Sequence, residues 1–427
     1  MQRNFRACAS IAVAIGAMLG TSVADAAPRK AGNPLGVVVI RFHKGLSADQ
    51  MKAAVAQSGG EVVSDLSKVD RLAATPLASD FATRIKSHPL VLAAWADKIY
   101  SRPSTDIAAE DAGVKGNPQL GSPGPNGPPD PWHELSSFLG ETNPEGILQW
   151  DDNRMSVPAA WGVTTGTRNV RVAVLDTGVQ GSHKELHANY DNQASANTIP
   201  CNLLTRQFGP LGQKDCSSED TEGHGTWVAS RIAGAANGFA SNGVAPNVTI
   251  IGMKVLSTTL GGGLTSWIVD GMVRACDAGA HLINMSLGGY DLPGVDDEDY
   301  LLWVDATNYC RAKGTAIFAS AGNEHVRINR VNIMVGGQLM VGAGRVDTGN
   351  EGIQSIIPPD TVANNDLRGL LETPAGVPGV VMVSATGNAI GGSQSSSSIN
   401  ALAKALVWPD DKLGKRDQLT YYSNYGS

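Results

Sequence analysis

Charge and aromatic rings are both scarce in this chain: 17% of its 427 residues are charged and 5% are aromatic. The 33 basic residues do not outnumber the 40 acidic ones, and the net charge of −7 gives no electrostatic basis for binding nucleic acid. No apolar run reaches the roughly 20 residues needed to span a bilayer, which argues against a membrane-spanning helix. No Cys-x-x-Cys pair and no Gly-x-Gly-x-x-Gly run occurs, so the usual zinc and dinucleotide signatures are missing. What is present, 42% hydrophobic residues with 50 glycines, fits a folded, loop-rich protein rather than a disordered one.

The amino terminus stands apart. Arg3 and Arg6 precede an apolar run from Ile11 to Leu19, and Ala24-Asp25-Ala26 supplies small residues for cleavage. This predicts a secretory signal over residues 1–26 and an exported protein, extracellular or periplasmic, with no membrane attachment once the signal is removed. Export leaves four cysteines, Cys201, Cys216, Cys276 and Cys310, an even number in an oxidising compartment that predicts two disulfides. Cys201 with Cys216 closes a short local loop, which leaves Cys276 for Cys310, each within a predicted helix.

From Val37 to about Tyr100 the pattern reads strand, helix, strand, strand, helix, strand, with helices through Met51–Gln57 and Phe81–Lys86. That order is the split βαβ arrangement of a small α+β, ferredoxin-like unit, assigned here to residues 27–103. Residues 104–146 are rich in Gly and Pro, as in Gly121-Ser122-Pro123-Gly124-Pro125, and read as a linker. From 147 to 427, short β-branched runs alternate with helical stretches: Val170–Leu175, Val248–Val255, Leu282–Met285, Ala316–Ala319 and Val380–Val383 read as buried parallel strands of a doubly wound α/β sheet. Arg327–Gly376 and the Ser-rich Ser393–Ser398 lack a clean period and read as surface insertions without chemistry.

Three positions carry chemistry. Asp176 ends the run Val172-Ala173-Val174-Leu175 at the carboxyl end of a buried strand, the edge at which open α/β sheets hold ligands. His224 stands in Gly223-His224-Gly225-Thr226 at the start of a predicted helix, where the helix dipole opposes a positive charge and a nearby carboxylate favours one. Such a pair has the makings of a general base and the group that orients it. Asn323, in Ala321-Gly322-Asn323 after a third strand, offers an amide donor suited to a developing oxyanion.

With these runs, Val-Leu-Asp176-Thr-Gly, Gly-His224-Gly-Thr-Trp-Val-Ala, Ile283-Asn284-Met285-Ser286-Leu287-Gly288-Gly289 and Ala321-Gly322-Asn323, the chain resembles the subtilisin-like serine proteases. The resemblance implies a subtilisin-like fold over Gln149–Ser427, and it likens the 37–100 unit to that family's inhibitory propeptide, an intramolecular partner. It implies a polypeptide substrate and a secreted zymogen, with Asp176 as triad acid, His224 as base and Asn323 as oxyanion donor. Gly261 to Gly263 and Ser286, Leu287 and Gly288 resemble the two edge segments that hold an extended peptide by backbone hydrogen bonds. The chemistry implied needs no cofactor. A structural calcium ion is compatible with the resemblance, with Glu185 where the family often has an acidic ligand.

The resemblance has one gap. The family's nucleophile lies in a Gly-Thr-Ser-x-Ala-x-Pro run, and none occurs here; Leu419–Ser427 resembles the strand that precedes it. Two readings stay open: a fragment of an endopeptidase whose serine lies outside this chain, or a non-catalytic, peptide-binding pseudoprotease. In the first, the catalytic domain is incomplete at its carboxyl side and the chain as given is inactive.

Overall fold

The computed structural model describes residues 33–101, 152, 155–237, 242–324, 326–348, 367–385 and 423–426. The predicted signal, the whole of the 104–146 linker, and Ser393–Ser398 lie outside the described residues.

The first unit runs β1 (Val38–Phe42), α1 (Ala48–Gln57), β2 (Gly60–Leu66), β3 (Arg71–Pro76), α2 (Phe81–Lys86) and β4 (Val91–Ala96). Helix α1 starts earlier than its apolar spacing indicates, because Ser47 and Gln50 form a reciprocal cap that satisfies two backbone N–H groups. The sheet order is β2-β3-β1-β4, every pair antiparallel. One face buries Ile40, Phe42, Met51, Leu72, Phe81 and Ile85 beneath the two helices, while Val37, Val39 and Ala73 belong to the large core of the remainder of the chain. A strand β5 (Ile99–Ser101) follows at once.

The larger part continues with α3 (Val157–Trp161), β6 (Arg171–Asp176), β7 (Ala196–Asn197), α4 (Cys201–Phe208), α5 (His224–Ala233), β8 (Thr249–Lys254) and β9 (Gly262–Leu264). Then come α6 (Thr265–Asp277), β10 (Leu282–Met285), β11 (Gly289–Asp291), α7 (Asp297–Ala312), β12 (Ala316–Ser320), β13 (Arg327–Val335), β14 (Gln338–Val346), β15 (Leu371–Thr373), β16 (Val380–Val383) and β17 (Tyr425–Gly426). The central sheet, order β16-β12-β10-β6-β8-β7, is parallel throughout. This is the α/β fold with a parallel sheet that the alternating pattern predicts. Helices α6 and α7 pack together, burying Trp267, Ile268, Met272, Trp303 and Ala306, and Cys276 of α6 is bonded to Cys310 of α7. Cys201 is bonded to Cys216.

One expectation is corrected. Arg327–Gly376 is not merely surface insertion: β13, β14 and β15 form a five-stranded sheet with β11 and β17, and Ile328, Val335, Ala343 and Leu371 are fully buried. The period of two is hidden because the register of β13 against β14 shifts between Val331 and Ile333, which moves the inward-facing positions by one.

Candidate active site

Strands β6, β10 and β12 are parallel neighbours, so their carboxyl ends share one edge of the sheet. Asp176 ends β6, Ser286-Leu287-Gly288 follow β10, and Ala321-Gly322-Asn323 follow β12. The Asp176 side chain is fully buried.

His224 is the first residue of α5, and its Nδ1 lies 2.8 Å from Asp176 Oδ1. A carboxylate only accepts, so this bond requires the proton on Nδ1 and makes Nε2 the basic nitrogen of the neutral ring. The imidazole is 12% exposed, reachable from one side and held from the other. Gly225 makes the approach feasible: a Cβ there would stand 2.1 Å from Gly178 O and 2.9 Å from the Asp176 Cβ.

The pair sits in a web that sequence inspection did not single out. Asp220 accepts from the N–H groups of Gly223 (2.7 Å), Glu222 (2.9 Å) and Thr226 (2.9 Å), and from the Thr226 hydroxyl (2.6 Å). Burial works to raise the Asp220 carboxyl, but these bonds outweigh it and hold it below its ordinary value, ionised at the head of α5. The Thr177 hydroxyl donates to Asp220 and accepts from the Gly225 N–H, each at 3.0 Å, tying the Asp strand to the His helix. Lys254, fully buried at the end of β8, donates to Thr177 O at 2.8 Å and lies 3.4 Å from Asp215. The available signals were an acid four residues before His224 and a lone lysine closing an apolar strand.

The proposed substrate edges are placed as follows. Gly261, at φ +66°, leads into β9, and a Cβ on Gly263 would stand 2.2 Å from Val255 O. β9 pairs antiparallel with β5 of the small unit, Tyr100 opposite Gly263 and Ser101 opposite Gly262. Tyr100 is buried, its ring edge-on to Trp303 at 5.3 Å. Ser286 Oγ accepts from Asn284 Nδ2 at 3.1 Å, Leu287 is fully buried, and Gly288 borders Thr373 and Glu372. Asp176 and His224 are therefore in direct contact, while Asn323 and Ser286–Gly288 are placed at neighbouring strand ends. Glu185 is buried in the segment after β6, its carbonyl accepting from Ala235 N at 2.8 Å. Among the described residues no group of three or more His, Cys, Asp or Glu side chains is arranged to hold a metal, and no helix is long and apolar enough to cross a membrane.

The family model described as "Subtilase family" matches residues 167–427. The alkaline elastase YaB of Bacillus sp. (strain YaB) is 34% identical over 176 residues, 41% of this chain and 40% of that protein. The major intracellular serine protease of Bacillus subtilis (strain 168) is 34% identical over 182 residues, 42% of this chain and 50% of that one. The chain thus spans half or less of the length of these relatives. Among solved structures, the epidermin leader peptide processing serine protease of Staphylococcus aureus superposes with a TM-score of 0.58 at 17% identity, covering 92% of this chain and 72% of that one, a likeness of fold.

Proposed function

Because the chain belongs to the subtilase family, we propose that it is the precursor of an exported serine endopeptidase that transfers the acyl group of a peptide bond to a serine and then to water. The observation that carries this reading is the 2.8 Å bond between His224 Nδ1 and a buried Asp176 at the carboxyl edge of the sheet. In the acylation step His224 Nε2 takes the serine hydroxyl proton as oxygen attacks the carbonyl carbon, then gives that proton to the leaving amine as the C–N bond breaks. Asp176 holds the tautomer and stabilises the imidazolium against the helix dipole. Asn323 donates to the oxyanion, a contribution of roughly 3 kcal/mol in enzymes that use such a donor. The serine is assigned to none of the 427 residues, since no Gly-Thr-Ser-x-Ala-x-Pro run occurs among them, and the chain as given is proposed to be inactive for that reason.

The unit over residues 27–103 is proposed as the intramolecular inhibitor. The pairing of β5 with β9 supports this, because an extended strand already lies along the edge that a substrate would use. The test is expression of the complete reading frame. Casein hydrolysis that is sensitive to serine reagents, and lost by about 10⁶-fold in His224→Ala, is the expected result; a product that binds peptides without turnover would instead support the pseudoprotease reading.

A further inference from the structure

Lys254 closes an apolar strand with a charge that does not reach water: its side chain is fully buried, and its register partner on the neighbouring strand is Asp176. An ammonium has three N–H donors and accepts nothing. Its neighbours are Thr177 O at 2.8 Å, Glu219 O at 3.3 Å and the Asp215 carboxylate at 3.4 Å. The two carbonyls belong to segments that touch, since a Cβ on Gly178 would stand 2.7 Å from Ser218 O and 2.9 Å from Glu219 O. Without a cation to meet them, two buried carbonyl oxygens would lack a donor at this point.

Both segments lead to the proposed catalytic pair. Thr177 follows Asp176, and its N–H donates to Asp176 Oδ1 at 2.7 Å, the same oxygen that meets His224 Nδ1. Glu219 precedes Asp220, whose carboxylate accepts from the N–H groups of Glu222, Gly223 and Thr226 around His224. The ammonium therefore fastens the turn behind the acid to the loop that leads to the base.

Asp215 extends the tie to the proposed substrate edge. It too is fully buried, and it accepts from the Ser257 hydroxyl at 2.7 Å and from the N–H groups of Thr258 at 2.9 Å and Thr259 at 3.1 Å. Ser257 in turn exchanges two backbone hydrogen bonds with Gly262, at 2.8 Å and 3.2 Å. Burial works to raise the Asp215 carboxyl, but the bonds from Ser257, Thr258 and Thr259 outweigh it and hold it below its ordinary value, ionised opposite Lys254. The Cys201–Cys216 bond closes beside it and pins the loop. A buried ion pair adds little net stability over apolar residues of the same volume, but removing one partner leaves the other charge uncompensated. What this pair adds is direction, because one ammonium sets where three acceptors on three segments must lie.

We infer that Lys254 and Asp215 are positioning residues: the pair sets the orientation of Asp176 toward His224 and couples it to the edge segment Gly261 to Gly263. The catalytic use of that orientation rests on the endopeptidase reading above.

The test separates positioning from loss of stability. In the full chain, at a temperature where circular dichroism shows the variants to be folded, the low-field proton resonance of the His224 Nδ1–H is compared among the parent, Lys254→Met, Asp215→Asn and Ile85→Ala. Ile85 lies in the separate core of the small unit, so its truncation destabilises the chain without touching the site. Lys254→Met keeps the length of the side chain and removes its donors, and is expected to shift the resonance upfield or abolish it. Asp215→Asn, nearly isosteric, is expected to shift it less, and decides the matter alone if Lys254→Met does not fold. A resonance unchanged in the folded variants, or moved equally by Ile85→Ala, overturns the proposal. In the enzyme encoded by the complete reading frame, after release of residues 27–103, both variants are expected to lower kcat by about 10- to 100-fold, and to raise KM only for peptides long enough to lie along Gly261 to Gly263. An unchanged kcat overturns the proposal as well. A parent that gives the resonance but hydrolyses no peptide overturns the endopeptidase reading and leaves the positioning to be decided by the resonance.

Discussion

The hydroxyl of Tyr100 donates to Asp291 Oδ1 at 2.7 Å, joining the last strand of the small unit to residues that lie 191 positions further along the chain. Lys98 reaches the same carboxylate at 2.6 Å and Asp296 at 2.9 Å. A phenol, an ammonium and two carboxylates are thus closed into one network where the two parts of the chain meet. Tyr100 also stacks edge-on against Trp303. Its replacement separates two effects. Tyr100→Phe keeps the ring and removes one donor from a buried carboxylate, an expected loss of about 1–3 kcal/mol; Tyr100→Ala also opens a cavity, for an expected loss of about 3–5 kcal/mol. Urea denaturation of the full chain measures both, and equal losses would place the whole effect in the hydrogen bond.

Asp97 gives the same junction a pH dependence. Burial raises its carboxyl to about 7, against the opposing bonds from Ser266 and the Lys98 N–H. Asp299 is raised as well, first by burial and then by Asp291 and Asp97. The sign follows from linkage: between the unfolded value near 4 and the folded value near 7 the native state binds more protons, so stability falls as pH rises through that window. The Asp97 share is on the order of 4 kcal/mol, fully present below about pH 4 and lost above about pH 7. Asp97→Asn, which keeps an acceptor for both N–H groups, is expected to flatten the denaturation midpoint over pH 4–7. An unchanged slope would assign the dependence to Asp299 and its neighbours.

The strands of the central sheet and the Asp176–His224 pairing were legible for a physical reason. Parallel strands buried on both faces are written as continuous β-branched runs, so Val172–Leu175 and Leu282–Met285 announce themselves. His224 is bracketed by glycines, Gly223 at a φ of +113° and Gly225 where a close approach to Gly178 leaves no room for a side chain. What escaped inspection depends on distant partners. Lys254 looks like a misplaced charge until Thr177 O and Asp215 arrive from elsewhere. The hairpin of β13 and β14 was hidden by a register shift.

Gly225→Ala tests whether the acid and the imidazole are held by packing. The added methyl would collide with backbone at Gly178, which cannot move without moving the Asp176 strand end. Overpacking of this kind costs about 1–3 kcal/mol, and it separates His224 from Asp176. The low-field proton resonance of an imidazole Nδ1–H bonded to a carboxylate reports the contact without any need for turnover. It is expected in the parent chain and expected to shift upfield or vanish in the variant; a resonance unchanged by the substitution would mean that the site absorbs the methyl elsewhere.

The two disulfides are predicted to contribute unequally. Cys276–Cys310 closes a span of 34 residues and Cys201–Cys216 one of 15. The chain-entropy argument gives about 4 kcal/mol for the longer loop and about 3 kcal/mol for the shorter. Placement widens that gap. Cys276 and Cys310 are both buried between α6 and α7, where removing sulfur also leaves a void in the main core, whereas Cys201 is only half-buried at the start of the short helix α4. Replacing Cys276 and Cys310 together by Ala is therefore expected to lower the thermal midpoint by several degrees more than replacing Cys201 and Cys216. Calorimetry of the two double variants decides it: equal midpoints would mean that loop closure alone sets the contribution, with no added term from the core.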